Sequence, residues 1–237
     1  MNGIPGDVFK SVPHPAIDPR VENARYRVFT ISRRDPVKNL GTMLRATEML
    51  AERLPSLVHV VAGPGSEDIE FDGVHLGIGP ATEEKVADYL TWSQCFLQVQ
   101  LATDVGMAAA EALMVGRPVV ITGGEGGNAR DLISEARGLL VSLAEARDGA
   151  VVARTLERCL SRQYDADAIR AFALDRYGEE RLREREAQRY QRLAETCFPY
   201  GHLQRVALRA ALRWRVAEKL VSSRSRVPRL ARAQYSE

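Results

Sequence analysis

The stretch Phe96–Gly127, FLQVQLATDVGMAAAEALMVGRPVVITGGEGG, constrains the fold of this chain more than any other. A mostly apolar segment, Phe96 to Leu101, reads as a strand that stops at Ala102-Thr103-Asp104-Val105-Gly106. A helix of small residues follows, from Met107 to about Val115. Gly116 suits the left-handed residue that ends a helix, and Pro118 opens a second apolar strand, Val119 to Thr122, which runs into the glycine-rich loop Gly123 to Gly127. In a parallel sheet the two loops fall on the same carboxyl edge, where amides at helix starts bind anions and ligands sit. Glu111 is the one carboxylate in this otherwise apolar helix. A buried unpaired charge is costly, so Glu111 either reaches the sheet edge to meet a polar ligand or faces water.

The segments around this stretch repeat its alternation. Tyr26 to Ser32 is β-rich, and the polar loop Arg33-Arg34-Asp35-Pro36-Val37-Lys38-Asn39 leads to a helix with Leu40, Met43, Leu44, Thr47, Ala51 and Leu54 at helical spacing. Asn39 is the expected N-cap and Pro55 the stop. Leu57 to Ala62 is a strand that breaks at Gly63-Pro64-Gly65. Val74 to Ile78 is another, leading through Gly79-Pro80 to a helix capped by Thr82, with Glu83 and Glu84 at the positive end of its dipole. Asn128 is expected to cap a helix through Ala136, and Gly138 to Val141 reads as the last strand. From Ala150 onward the chain reads helical, and Arg176 to Ala194 is a charged helix with few apolar anchors. Alternating β and α elements predict a Rossmann-like parallel sheet flanked by helices, with a helical extension at the C-terminal end.

With 237 residues, 45% of them hydrophobic, a substantial core can form. No apolar run approaches the roughly 20 residues of a membrane-spanning helix, and MNGIPGDVFK lacks the regions of a signal peptide, so a cytoplasmic protein is expected. Cys95, Cys159 and Cys197 are widely spaced, without a CxxC or a histidine pair, and read as buried or free thiols. No metal site is expected. Nine Lys or Arg against two acids from Thr196 to Glu237 leave about +7 on the tail and about −5 on the rest, so the body repels polyanions and no nucleic acid partner is expected.

The order of the segments ISRRDPVKN, VVAGPG, GMAAAEALMVGRPVVIT, GGNARDL and GLLV resembles the C-terminal, donor-binding half of the family-4 retaining glycosyltransferases of the GT-B fold. The resemblance runs from about Asn2 to Leu193. It implies that Arg33 and Lys38 hold the diphosphate of a nucleotide sugar, where a cation pair stabilises the charge growing on the leaving group in place of a metal. It further implies that Glu111 binds the ribose hydroxyls. Gly63, Thr103, Asp104, Gly106, Met107 and Ala108 fall at the remaining donor-binding positions. Two positions depart from the family pattern: Thr103 stands where a sugar-contacting glutamate is usual, with Asp104 beside it, and Arg130 stands where the GGxxE pattern has its glutamate.

By the same resemblance, residues 1–25 form a linker of the interdomain type, 26–195 the donor-binding domain and 196–237 a basic tail, while the acceptor domain is expected to come from a separate chain. In the tail Leu203, Val206, Ala210, Trp214, Ala217 and Val221 recur at helical spacing, which suits an anionic membrane surface at the inner face, a protein partner, or this protein's own acidic body. The resulting expectation is retaining, metal-independent hexosyl transfer from a nucleotide-diphosphate sugar, with no cofactor beyond that donor. A non-catalytic nucleotide-sugar-binding or partner subunit, or an inactive fragment, is the alternative that the two departures favour. A nucleotide-sugar epimerase on the same fold is a third, against which the lack of an acid/base pair speaks.

Overall fold

A computed structural model of the chain describes residues 3–13, 15–102, 106–124, 129 and 133–196, the last three by their backbone alone. Its centre is a six-stranded sheet of β1 (Tyr26–Ile31), β2 (Leu57–Ala62), β3 (His75–Gly77), β4 (Cys95–Gln98), β5 (Val119–Gly123) and β6 (Gly138–Ser142). The spatial order is β3-β2-β1-β4-β5-β6 and every pairing is parallel. Between the strands run α1 (Leu40–Ala51), α2 (Glu83–Trp92) and α3 (Met107–Met114); α4 (Gly149–Leu160), α5 (Ala166–Tyr177) and α6 (Glu179–Thr196) follow β6.

The residue pattern explains the layering. Successive strand residues point to opposite faces, and in this sheet both faces are apolar. Phe29, Val60, Phe96, Val119 and Ile121 face the layer that includes Tyr89 and Leu90 of α2, Leu113 and Met114 of α3, and Ile169 of α5. Their neighbours Val28, Val61, Leu97 and Val120 face the layer of Met43 and Leu50 from α1 and Val152 and Leu156 from α4. All six residues of β2 are buried. Phe29 stacks on Tyr89 at 5.5 Å and meets Phe96 edge-on at 6.3 Å, so its truncation to Ala would cost about 3–5 kcal/mol.

Because right-handed crossovers carry β1 to β2 in one direction and β4 to β5 in the other, α1 and α3 lie on opposite faces. Their first turns therefore part above the β1/β4 boundary and leave a crevice at the carboxyl edge. Small residues let α3 lie close to its surroundings: Ala109, Ala110 and Ala112 are buried. Gly116, at φ 82°, closes α3 with the paired bonds of a Schellman motif, Gly116 N to Leu113 O at 3.0 Å and Arg117 N to Ala112 O at 2.9 Å. A side chain at Gly116 would also strike Ala166 O, so both its backbone and its packing demand glycine. The Arg117 guanidinium then caps the end of α2 by donating to Leu90 O and Thr91 O.

The segment before β1 packs on the domain through buried Ile4, Phe9 and Val21. Ile4 bridges in parallel to Gly178, and Arg170 donates to the carbonyls of Gly6, Phe9 and Met114. Residues 1–181 form one compact unit, and a second begins at Leu182 within α6, where residues 184–193 are exposed. The basic tail lies outside the described residues.

Two details differ from the sequence reading. The central strand ends at Gln98 rather than Leu101, because Leu101 N turns aside to donate to Val37 O at 2.8 Å. Asn39 does not cap α1 with its side chain; it sits in the left-handed region at φ 56° and sends its amide elsewhere.

Candidate functional site at the carboxyl edge

The loop after β1 is built by its own polar residues. Asp35 Oδ1 accepts from Val37 N at 3.0 Å and opens a 3-10 turn, Pro36–Lys38, whose proline needs no amide partner. Asn39 then donates from Nδ2 to Val99 O at 3.0 Å and to Ala146 O at 2.6 Å. Lys38 Nζ donates to Gln100 Oε1 at 3.0 Å. With the Leu101–Val37 bond, these contacts fasten the loop of β1 to the loop of β4 across the switch point of the sheet. Lys38 is thereby held half-buried with its ammonium at the boundary between the two strands.

Arg33 is held more loosely. Its side chain is 66% exposed and pairs with Asp35 at 3.4 Å, a surface contact that leaves the guanidinium available to an anion. Arg34 turns the other way, packing its stem over Gly65 and pairing with Asp68 at 3.0 Å. Gly63, at φ 118°, lies so close to Ser32 O that no side chain fits, and its amide donates to Gly79 O at 2.8 Å. It shapes the end of β2 and carries the β2 loop toward the start of α2.

On the other side of the switch point α3 begins at Gly106, whose backbone is extended and which offers no side-chain cap. A Cβ there would approach Gln98 Oε1 to 3.3 Å, so the glycine leaves room for that buried glutamine. Among the described residues the amides of Met107, Ala108 and Ala109 have no acceptor; the first one used is Ala110 N, which donates to Gly106 O. Such a start is a ready anion site. Thr103 and Asp104, like Arg130 in the GGxxE-like segment, lie outside the described residues.

Glu111 stands one turn above Met107, on the same face of α3, half-buried and without a hydrogen-bond partner among the described residues. Burial, with the Glu83 carboxylate at the start of α2 as a further cause, pushes its carboxyl up to about 7. Four successive strand ends thus bring together Arg33 and Lys38, the Gly63 turn, the Glu83 turn, and Gly106 to Glu111. Among the described residues no group of three or more His, Cys, Asp or Glu side chains converges as metal ligands would. No described helix is long and apolar enough to cross a membrane.

Sequence reasoning missed Gln98, Gln100 and the ties of Asn39. A signal for the glutamines was present: two amides at alternate positions in an apolar strand share one face, and buried amides require partners.

The comparisons agree with this architecture. Residues 25–162 match the family described as glycosyl transferases group 1. No match was found among curated proteins. Among solved structures, Anabaena Alr3699/HepE in complex with UDP and glucose is 17% identical with a TM-score of 0.60, covering 80% of this chain and 55% of its own. Sucrose-phosphate synthase from Thermosynechococcus elongatus is 19% identical with a TM-score of 0.60, covering 81% of this chain and 51% of its own. A glycosyltransferase from Rickettsia africae ESF-5 is 12% identical at a TM-score of 0.63, covering 83% and 57%. The chain spans about half the length of these proteins, and the sheet is that of one Rossmann-like unit of a GT-B glycosyltransferase. With its family profile matched over more than half its length, this chain belongs to the group 1 glycosyl transferases.

Proposed function

We propose that the chain is the donor-binding half of a retaining, metal-independent glycosyltransferase that takes its sugar from a nucleotide diphosphate. The observation that carries this reading is the Lys38–Gln100 bond, which fixes a cation across the switch-point crevice, opposite the uncapped start of α3. Arg33 and Lys38 bind the diphosphate and stabilise its charge as the glycosidic bond breaks. The Gly106, Met107 and Ala108 backbone receives phosphate or sugar oxygens, the Gly63 turn borders the nucleotide, Glu111 takes the ribose hydroxyls, and Thr103 and Asp104 are the positions that the family pattern assigns to the sugar. The donor is the only small molecule required. That Anabaena HepE was solved with UDP and glucose supports a donor of this class.

The domain so assigned runs over residues 26–195, with 1–25 as the junction segment and 196–237 as a basic tail that holds the protein at the inner face of an anionic membrane. Acceptor binding falls to a partner domain or chain. Without one, the crevice gains little from orientation or water exclusion and transfer is slow. Thr103 and Arg130, which depart from the family pattern, favour a second reading, a non-catalytic nucleotide-sugar-binding subunit. Calorimetry with UDP-, GDP- and ADP-sugars tests the shared part of both: one of them binds, and no heat from any of the three removes the donor-site assignment. Sugar transfer on adding an acceptor-domain chain separates the two readings. Anionic liposomes should retain the full chain better than one ending at residue 197; equal retention would remove the membrane role.

A further inference from the structure

Away from the crevice, the thiols of Cys95 and Cys159 lie 3.4 Å apart. Cys95 is the first residue of β4 and Cys159 stands in the last turn of α4, so the contact joins a central strand to the helix covering it. Both are buried. The surroundings treat them unequally. Burial and the neighbouring sulfur push the Cys95 thiol well up. Cys159 is held below the ordinary thiol range by its hydrogen bond with Cys95, by the Tyr164 hydroxyl at 3.5 Å and by the charge of Arg162. Cys159 also lines a cavity of about 170 Å³ together with Arg117, Pro118, Arg162 and Tyr164, room enough for a small oxidant.

We propose that Cys95 and Cys159 are a redox-active dithiol, which hydrogen peroxide entering this cavity converts to an internal disulfide. The Cys159 thiolate attacks one peroxide oxygen, the O–O bond breaks, and the departing hydroxide takes up the proton that Cys159 released, leaving a sulfenic acid and one water. The Cys95 sulfur then attacks the Cys159 sulfur, the S–O bond breaks, and the hydroxide leaves with the Cys95 proton as a second water. The two sulfurs supply the two electrons that reduce the peroxide. Closing from 3.4 Å to the roughly 2.05 Å of a disulfide draws the last turn of α4 onto β4.

The test uses the full chain with its three cysteines. After hydrogen peroxide, unfolding and alkylation, intact mass should show the loss of two hydrogens and alkylation at Cys197 alone, and a digest should yield a Cys95–Cys159 linked peptide released by reductant. Cys197→Ser should behave like the wild type, and Cys95→Ser should halt at a Cys159 sulfenic acid that dimedone traps. Full alkylation of Cys95 and Cys159 after peroxide, or pairing through Cys197, would overturn the proposal. Because the wild-type chain alone decides between these outcomes, a variant that fails to fold leaves the test intact.

Discussion

Two groups of polar side chains sit among the strands of this sheet, and they are satisfied in different ways. On the β1–β3 side His59 is fully buried, with Nε2 2.8 Å from Thr30 Oγ1 and Nδ1 3.1 Å from Thr47 Oγ1. Thr30 gives its proton to Leu97 O, so neutral His59 donates to Thr30 from Nε2, while the Thr47 hydroxyl that meets Nδ1 also lies 2.9 Å from Leu44 O. Thr47 also meets His75 Nε2 at 3.1 Å, and His75 Nδ1 reaches Asp72 at 2.9 Å. Every member of that chain has a protein partner. At the carboxyl edge, by contrast, Glu111 and the first amides of α3 have none among the described residues, while Lys38 is held by a single side-chain bond. The closed network fixes the fold, and the open one is where, under the proposed function, a ligand would complete the hydrogen bonding.

The contrast can be broken from either side. The largest effect falls on the closed network: His59→Leu strips partners from two buried hydroxyls and should lower stability by about 2–3 kcal/mol in denaturant titration, with nucleotide affinity unchanged. The same imidazole gives the wild type a slope in acid. Burial, and the nearby His75 in second place, hold His59 down to about 3. Its contribution is therefore complete above the ordinary value of about 6.5 and is lost as pH falls from there through about 3. Melting curves from pH 7 to pH 4 should show this decline, and His59→Leu should flatten it.

On the open side, Gln100→Leu should leave Lys38 unanchored and weaken nucleotide-diphosphate binding about 5-fold, near 1 kcal/mol. An unchanged affinity would mean that Lys38 finds its position without Gln100. The smallest effect belongs to Glu111. Its raised carboxyl contributes stability that is complete below the ordinary 4.5 and lost as pH rises through about 7. Glu111→Gln should therefore match the wild type at pH 5 and melt a few degrees above it at pH 8. Identical melting at pH 8 would show that the carboxylate is well solvated.

Much of the fold was legible because its signals are local. Apolar runs of strand length, the Thr82 cap and the Gly116 stop each act within a few residues, and each stands in the structure where the pattern put it. The strand order is not local, since it rests on which crossovers bury the most apolar surface, yet the β/α alternation narrows it to a few arrangements. Asn39 shows where such reading ends. A polar residue before a helix is normally its cap, but this one contacts Val99 and Ala146, which lie 60 and 107 residues away in sequence. Gln100 is alike in this, because it meets Lys38 only once β1 and β4 are neighbours.

The central claim is that the crevice above β1 and β4 binds a nucleotide diphosphate through Lys38. Calorimetric titration of UDP, GDP and ADP into the wild type and into Lys38→Ala tests it most directly. At least one nucleotide should bind the wild type, and the variant should bind it about 10- to 100-fold more weakly, the worth of one charged hydrogen bond to phosphate. Equal affinity in the two proteins, or no heat with any of the three nucleotides, would contradict the account.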